Sequence, residues 1–118
     1  MPGLGPLYQP GTDAEVSLSA ATTGTGLVKA TSACRQVSWF TEYSGTITSG
    51  TILVEYAHTQ DYAGTWSLLA TIDAANLSLG TDGSGTYPGL VPFTRTRIAG
   101  GAPIVGGTVT TRINGIKG

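Results

Sequence analysis

The sequence predicts an all-β domain, an antiparallel β-sandwich that is jelly-roll-like and has about eight strands. Glycine, serine and threonine contribute 18, 9 and 19 residues, or 46 of the 118. This composition favours turns and strands and disfavours helices. Short runs of valine, isoleucine, threonine and aromatic residues are separated by glycine or serine clusters roughly every eight to twelve residues, a spacing typical of sandwiches and barrels.

The chain begins with a segment that is predicted to lie outside the sandwich. Residues 1–13 contain three prolines and three glycines, so they can form neither a helix nor a central strand. We therefore predict an extended Pro/Gly-rich arm over 1–13 and a β-sandwich domain over 14–118. The large apolar side chains of the arm, Leu4, Leu7 and Tyr8, are candidate partner-binding residues because they are too few to fold the arm on its own.

The strands are predicted from Glu15 onward, in an order set by the apolar runs and the turn residues between them. One of the eight, near residue 77, is weaker than the rest. The predicted strands are Glu15–Ser19, Leu27–Ser32, Gln36–Tyr43, Thr51–Ala57, Thr65–Ile72, Asn76–Leu79, Leu90–Ile98 and Gly107–Asn114.

Alternation of side chains predicts which residues of three strands face the core. Successive side chains of a strand point to opposite faces, so every second residue shares a face. The predicted core positions are Val37, Trp39, Ile52, Val54, Tyr56, Trp66, Leu68, Ala70 and Ile72.

The last two strands predict an unusual core. In the final strand, Val109, Thr111 and Ile113 share one side. In the strand before it, keeping the two arginines of FTRTRI in water turns the two threonines inward and Phe93 outward. An outward Phe93 indicates a covered surface, so Phe93 is a further candidate partner-binding residue.

Composition and charge exclude several classes of protein. Valine, isoleucine, leucine and phenylalanine supply 26 of 118 residues, enough for one domain with a small core. The net charge is −1 and no basic cluster is present, which argues against nucleic acid as a partner. We expect no signal peptide and no membrane span, because the N-terminus lacks a basic region and no long apolar run follows. Cys34 is the single cysteine, so no internal disulfide is expected.

Catalytic constellations are sparse, and we predict that the protein is not an enzyme. His58 is the only histidine, and a triad could be drawn from Ser67, His58 and Asp61, but no nucleophile elbow accompanies it. Glu42 and Glu55 lie on polar faces of neighbouring predicted strands and could approach each other as a glycosidase pair. A solvated arrangement, with each carboxylate balanced by an arginine at 95, 97 or 112, is the stronger interpretation.

Ligand-binding motifs are equally weak, so no cofactor and no metal are predicted. Asp82-Gly83-Ser84-Gly85 carries oxygen ligands beside glycines but lacks the further ligands of a calcium loop, and we interpret it as a turn. Tyr62 and Tyr87, in predicted loops, are the aromatic residues that could bind a sugar.

Three stretches of the sequence together resemble a pattern found in a known group of proteins. TILVEYAHTQDYAGTWSLLATI at 51–72 has a Val-Glu step that leads through a glycine turn to a W-x-x-L strand. FTRTRI at 93–98 and GGTVTTRIN at 106–114 complete the pattern. Together they resemble small β-sandwich virion proteins of tailed bacteriophages, most closely head decoration (cement) proteins. The chain departs from the pattern at Thr94 and Thr96, where hydrophobic residues are expected.

The resemblance implies a virion structural role on the outer capsid surface, for a protein made in the host cytoplasm. The expected partner is the major capsid protein, and closed symmetry favours a homo-oligomer, here a trimer. Such a protein stabilises the head by binding only the expanded shell. A tail, collar or neck component of the virion and a carbohydrate-binding or adhesin domain are the alternatives.

Overall fold

A computed structural model describes residues 15–32, 34–80 and 83–116 of the 118-residue chain. The predicted arm, with Leu4, Leu7 and Tyr8, lies outside the described residues, as does Asp82 of the predicted turn at 82–85.

The described residues form eight strands and one short 3-10 helix, which confirms the predicted all-β sandwich. The connections are short, as glycine-rich and serine-rich turns allow. The strands are β1 (Glu15–Ala21), β2 (Lys29–Ala30), β3 (Gln36–Ser49), β4 (Thr51–Ala57), β5 (Ser67–Asp73), β6 (Gly85–Tyr87), β7 (Phe93–Ile98) and β8 (Val105–Ile116), and the 3-10 helix is Ala74–Leu79.

The strands pair as a rolled-up antiparallel ribbon. β1 pairs with β8, β2 with β7, β3 with β6 and β4 with β5, and the ribbon closes laterally through β8 on β3 and β7 on β4. The resulting orders are β1-β8-β3-β6 in the first sheet and β2-β7-β4-β5 in the second. Two four-stranded sheets connected in this way are a jelly roll.

Most of the predicted alternation is confirmed. Ile52 and Val54 of β4 are fully buried between the sheets, as are Val109 and Ile113 of β8. Trp39 of β3 is also buried there, with 6% of its surface exposed. The residues that alternate with Ile52 and Val54 along β4 lie on the outer face of the second sheet.

Three predictions about local structure are wrong. The weak strand at 76–79 is the 3-10 helix, because the Asp73 side chain accepts a hydrogen bond from the Ala75 N–H and so caps a helical turn. The strand of Tyr87 was not predicted, because three residues are too short to show a period. The face of Trp66 and Leu68 is reversed, because Leu69 is an extra residue in β5: Ala70 pairs with Val54 and Leu68 with the adjacent Glu55.

The interior consists of two hydrophobic clusters with hydroxyl groups between them. On the inward face of β8, Thr111 lies between Val109 of one cluster and Ile113 of the other. The first cluster comprises Leu18, Ile47, Ile52, Ala74, Leu77, Ile98, Ile104 and Val109, and the second Val37, Trp39, Val54, Val91 and Ile113.

Thr96, one of the two inward-facing threonines predicted for β7, has its hydrogen-bond partners in the first sheet. The Thr96 hydroxyl donates to Ser17 Oγ at 2.8 Å, and Ser17 Oγ donates to the Leu27 carbonyl at 2.9 Å. The Thr96 proton is thereby used, so the Thr111 hydroxyl donates to Thr96 Oγ1 and itself accepts from the Leu18 N–H at 3.0 Å. The result is a directed chain of four hydrogen bonds across the core, which we call the hydroxyl chain.

Candidate functional site

The outer face of the second sheet holds a compact group of charges. Glu55 of β4 lies directly opposite Arg95 of β7, and Arg97 lies two residues further along the same face. Arg95 Nε donates to Glu55 Oε1 at 3.1 Å, and Arg97 Nη2 donates to Glu55 Oε2 at 2.8 Å. The Glu55 carboxylate is therefore shared by two guanidinium groups, and the group carries one net positive charge.

Glu55 is ionised although its side chain is only 5% exposed. Burial by itself raises the pKa of this carboxyl group. Hydrogen bonds from Arg97 and Arg95, together with their positive charges, outweigh that effect and hold the pKa of Glu55 below its ordinary value. The hydrogen bond between Arg97 and Glu55 also raises the pKa of Arg97.

Trp66 packs against Arg95 of this charge group. Its indole N–H donates to the Tyr62 carbonyl at 2.9 Å, which fixes the ring against the β4–β5 connection. The Arg95 guanidinium carbon lies 4.0 Å from the ring centre, a cation–π contact. Trp66 is buried, as predicted, but against the outer face of the sheet and not in the interior between the sheets.

A cleft of about 400 Å³ opens beside the stacked arginine. Leu53 and Leu68 form its apolar sides, and Leu68 is 56% exposed. The extra residue in β5 is the reason that Leu68 faces this cleft. The cleft is lined by Leu53, Glu55, Gly64, Thr65, Trp66, Leu68, Arg95 and Arg97.

Phe93 continues this face beyond the arginines, on the outer side that the sequence predicts. It pairs with Ala57 on one neighbouring strand and with Ala30 on the other, and it is half-buried. Of the candidate partner-binding residues, Phe93 is the one that lies among the described residues.

The two glutamates that could have formed a glycosidase pair do not meet. Glu42 is on β3 of the first sheet and Glu55 is on β4 of the second, so they lie on opposite outer faces of the sandwich. Each has an arginine instead, since Arg112 donates to Glu42 at 3.5 Å. The predicted balance of each carboxylate by an arginine is therefore confirmed, but the predicted solvated arrangement holds only for Glu42, because Glu55 is buried.

His58 lies in an exposed connection, with its ring centre 5.0 Å from that of Tyr62. Within the described part of the chain, no hydrogen bond joins it to Ser67 or Asp61. Residues 15–32, 34–80 and 83–116 contain no group of three histidine, cysteine, aspartate or glutamate side chains placed to hold a metal ion. Among the described residues, no helix is long and apolar enough to cross a membrane.

The first sheet presents a different outer face, which is covered with hydroxyl groups. Ser44 and Thr108 form an exposed hydrogen-bonded pair at 2.8 Å, and Thr110 Oγ1 accepts from the Ala20 N–H at 3.0 Å. Phe40 of this face is 42% exposed and pairs with Arg112, the partner of Glu42. Each sheet therefore carries one phenylalanine on its outer face, and in both sheets an ion pair of arginine and glutamate lies on the same face.

The fold is shared with a solved protein. The crystal structure of SPBc2 prophage-derived protein YomS matches with a TM-score of 0.60 over 92% of this chain and 96% of that chain, at 13% sequence identity. The sequence matches no protein-family model. It matches no curated protein either. The likeness to YomS extends over nearly the whole of both chains and establishes the common jelly roll.

Proposed function

We propose that this chain is a non-enzymatic structural protein of a phage virion, a decoration protein that binds the outer capsid surface and stabilises the head. Two likenesses support a phage origin: the sequence pattern of the strands at 51–72, 93–98 and 106–114, and the fold shared with a prophage-derived protein. Neither likeness specifies the position in the virion, which the proposal adds.

The observation that carries the assembly role is the scarcity of free charge on the surface. Across the described residues, Arg35 and Asp61 are the charged side chains that have neither an ion pair nor a hydrogen bond. The same described residues include nine exposed large hydrophobic side chains. Free charges keep soluble monomers apart, so a surface with few of them favours association. Such a surface suits a protein that is permanently covered by its neighbours in a capsid lattice.

The proposed attachment uses the N-terminal arm and the face that carries Phe93. Leu4, Leu7 and Tyr8 would insert into a groove of a neighbouring subunit or of the capsid protein, and Phe93 would be covered in the assembly. Burial of each such side chain contributes roughly 1.5 to 3 kcal/mol. Three copies around a three-fold position of the shell would contribute three times this binding energy. Because the protein would bind only the expanded shell, this binding energy would stabilise the expanded shell by mass action.

The test is co-sedimentation of the purified full chain with expanded phage heads that lack it, followed by heating of the loaded heads. We expect saturable binding and a higher temperature of DNA release. Phe93→Ser should weaken binding, whereas Phe40→Ser, the matched change on the outer face of the other sheet, should leave it unchanged. Binding to purified tails but not to heads would contradict the decoration role and favour a tail component. Equal effects of the two substitutions would remove Phe93 from the attachment surface.

A further inference from the structure

The hydrogen-bonding capacity of the charge group on the second sheet is not used up. Arg95 donates to Glu55 through Nε, and among the described residues its two terminal nitrogens, Nη1 and Nη2, have no hydrogen-bond partner. Arg97, in contrast, uses both Nε and Nη2 on Glu55. The free edge of Arg95 is thus a pair of parallel N–H donors beside the cleft.

This free edge is held in place by its surroundings. The guanidinium carbon of Arg95 lies over the Trp66 ring, and the buried Glu55 carboxylate accepts a hydrogen bond from Arg95 Nε. A guanidinium that is fixed in this way loses little rotamer freedom when it binds a ligand. Two parallel donors at the edge of a planar guanidinium match the two oxygens of a carboxylate.

We propose that the cleft beside Arg95 binds the carboxylate of an acidic side chain on a partner protein. Binding would be bidentate at Nη1 and Nη2, and the methylene groups of the incoming side chain would contact Leu68 and Leu53. The inference rests on the proposed function only in assigning the occupant to a partner protein.

Charge favours a single carboxylate over a polyanion as the occupant. Two arginines and one glutamate leave a net charge of +1 at the site, which one carboxylate neutralises. The whole chain has a net charge of −1 and an isoelectric point of about 5.6, so the field around it does not attract a nucleic-acid backbone. The apolar sides of the cleft reduce the local dielectric constant and so strengthen the charge-assisted hydrogen bonds.

Acetate is the probe for the site itself. The ¹⁵N-labelled full chain is titrated with sodium acetate that replaces sodium chloride at constant ionic strength, and the signals of Arg95 Nε–H and of the backbone at 66–68 are followed. We expect saturable shifts confined to this face, with at least fivefold weaker binding in Arg95→Lys, which keeps the charge but loses the paired donors. Arg112→Lys, on the first sheet, is the matched control and should bind acetate as the unmodified chain does.

A second pair of variants tests the site without touching the arginine. Leu68→Glu places a carboxylate beside the cleft, where it should occupy the free edge of Arg95 and abolish acetate binding. Leu79→Glu, which adds the same charge at a residue 81% exposed on the 3-10 helix, should have no effect. If Arg95→Lys does not fold, this pair decides.

Three results would overturn the inference. They are linear shifts that do not differ between acetate and chloride, retention of acetate binding in Leu68→Glu, and tighter binding of inorganic phosphate than of acetate. Because the titration contains no capsid, it can succeed when co-sedimentation with heads fails, and it can fail when co-sedimentation succeeds.

Discussion

Replacing the buried threonines of the hydroxyl chain with valine tests whether the chain acts as one unit. Thr96 and Thr111 are each at most 1% exposed, and valine has the shape of threonine with a methyl group in place of the hydroxyl. The two single substitutions and the double substitution form a double-mutant cycle. The directed order of the hydrogen bonds determines which buried groups lose a partner in each variant.

In Thr96→Val, the hydrogen bond to Ser17 is lost, but the Ser17 proton remains on the Leu27 carbonyl, so the loss costs about 1 kcal/mol. The Thr111 proton then has no acceptor, at a cost of about 2 kcal/mol. The new buried methyl group returns about 0.8 kcal/mol. The expected destabilisation is about 2 kcal/mol, or a decrease in Tm of roughly 8 °C for a chain of this length.

In Thr111→Val, the buried Leu18 N–H loses its acceptor, and the same arithmetic again gives about 2 kcal/mol. In the double variant, the bond between the two threonines disappears together with both partners, which is nearly neutral, and two methyl groups are gained. Its cost is about 1.5 kcal/mol, well below the additive value of about 4 kcal/mol.

The assay is urea unfolding of the four proteins at pH 7, followed by tryptophan fluorescence. Thr108→Val is the matched control, because its hydroxyl pairs with Ser44 on the exposed outer face, where water replaces the lost bond; it should change stability by less than about 0.5 kcal/mol. If the two single costs add within about 0.5 kcal/mol in the double variant, the threonines are independent and the directed chain is refuted.

Four further predictions concern the outer face, the arm and the histidine. Because the pKa of Glu55 is lowered in the folded protein, its ionised form contributes stability that is present above about pH 4.3 and is lost as the pH falls through the lower folded value; Glu55→Gln should flatten the dependence of the unfolding free energy on pH between about 5 and 3. Trp66→Ala should cost roughly 3 to 5 kcal/mol and prevent folding of so small a domain, and normal melting would contradict its supporting role. Deletion of residues 1–12 should leave the melting temperature nearly unchanged while it weakens co-sedimentation with heads. His58→Ala should leave co-sedimentation intact, and hydrolysis of a sugar or ester that this change abolished would contradict the absence of enzymatic activity.

The sequence was most informative where strand alternation is regular. Val37, Trp39, Ile52 and Val54 could be placed in the core because the alternate positions of β3 and β4 are mostly polar. The inward position of Thr96 could also be predicted, since the alternative would bury two arginines.

The candidate site could be predicted only in part, because it depends on an irregularity. The extra residue Leu69 carries no local signal in a run of apolar residues, and it moves Trp66 and Leu68 from the interior to the outer face. Glu55 and Arg95 are 40 residues apart in the sequence, so their contact follows from the sheet order and not from any motif. The partners of Thr96 were hidden for the same reason.

The nested pairing of the strands also constrains the order in which the chain can fold. β4 and β5 can pair as soon as both are made, but β1 must wait for β8, which ends at residue 116. β8 is also the neighbour of β3, so the first sheet remains incomplete until the last strand has been synthesised. Such long-range pairing is slow, typically milliseconds to seconds, and leaves strand edges open to other chains in the meantime. A chain interrupted before residue 105 would keep the β4–β5 hairpin but could never assemble the first sheet.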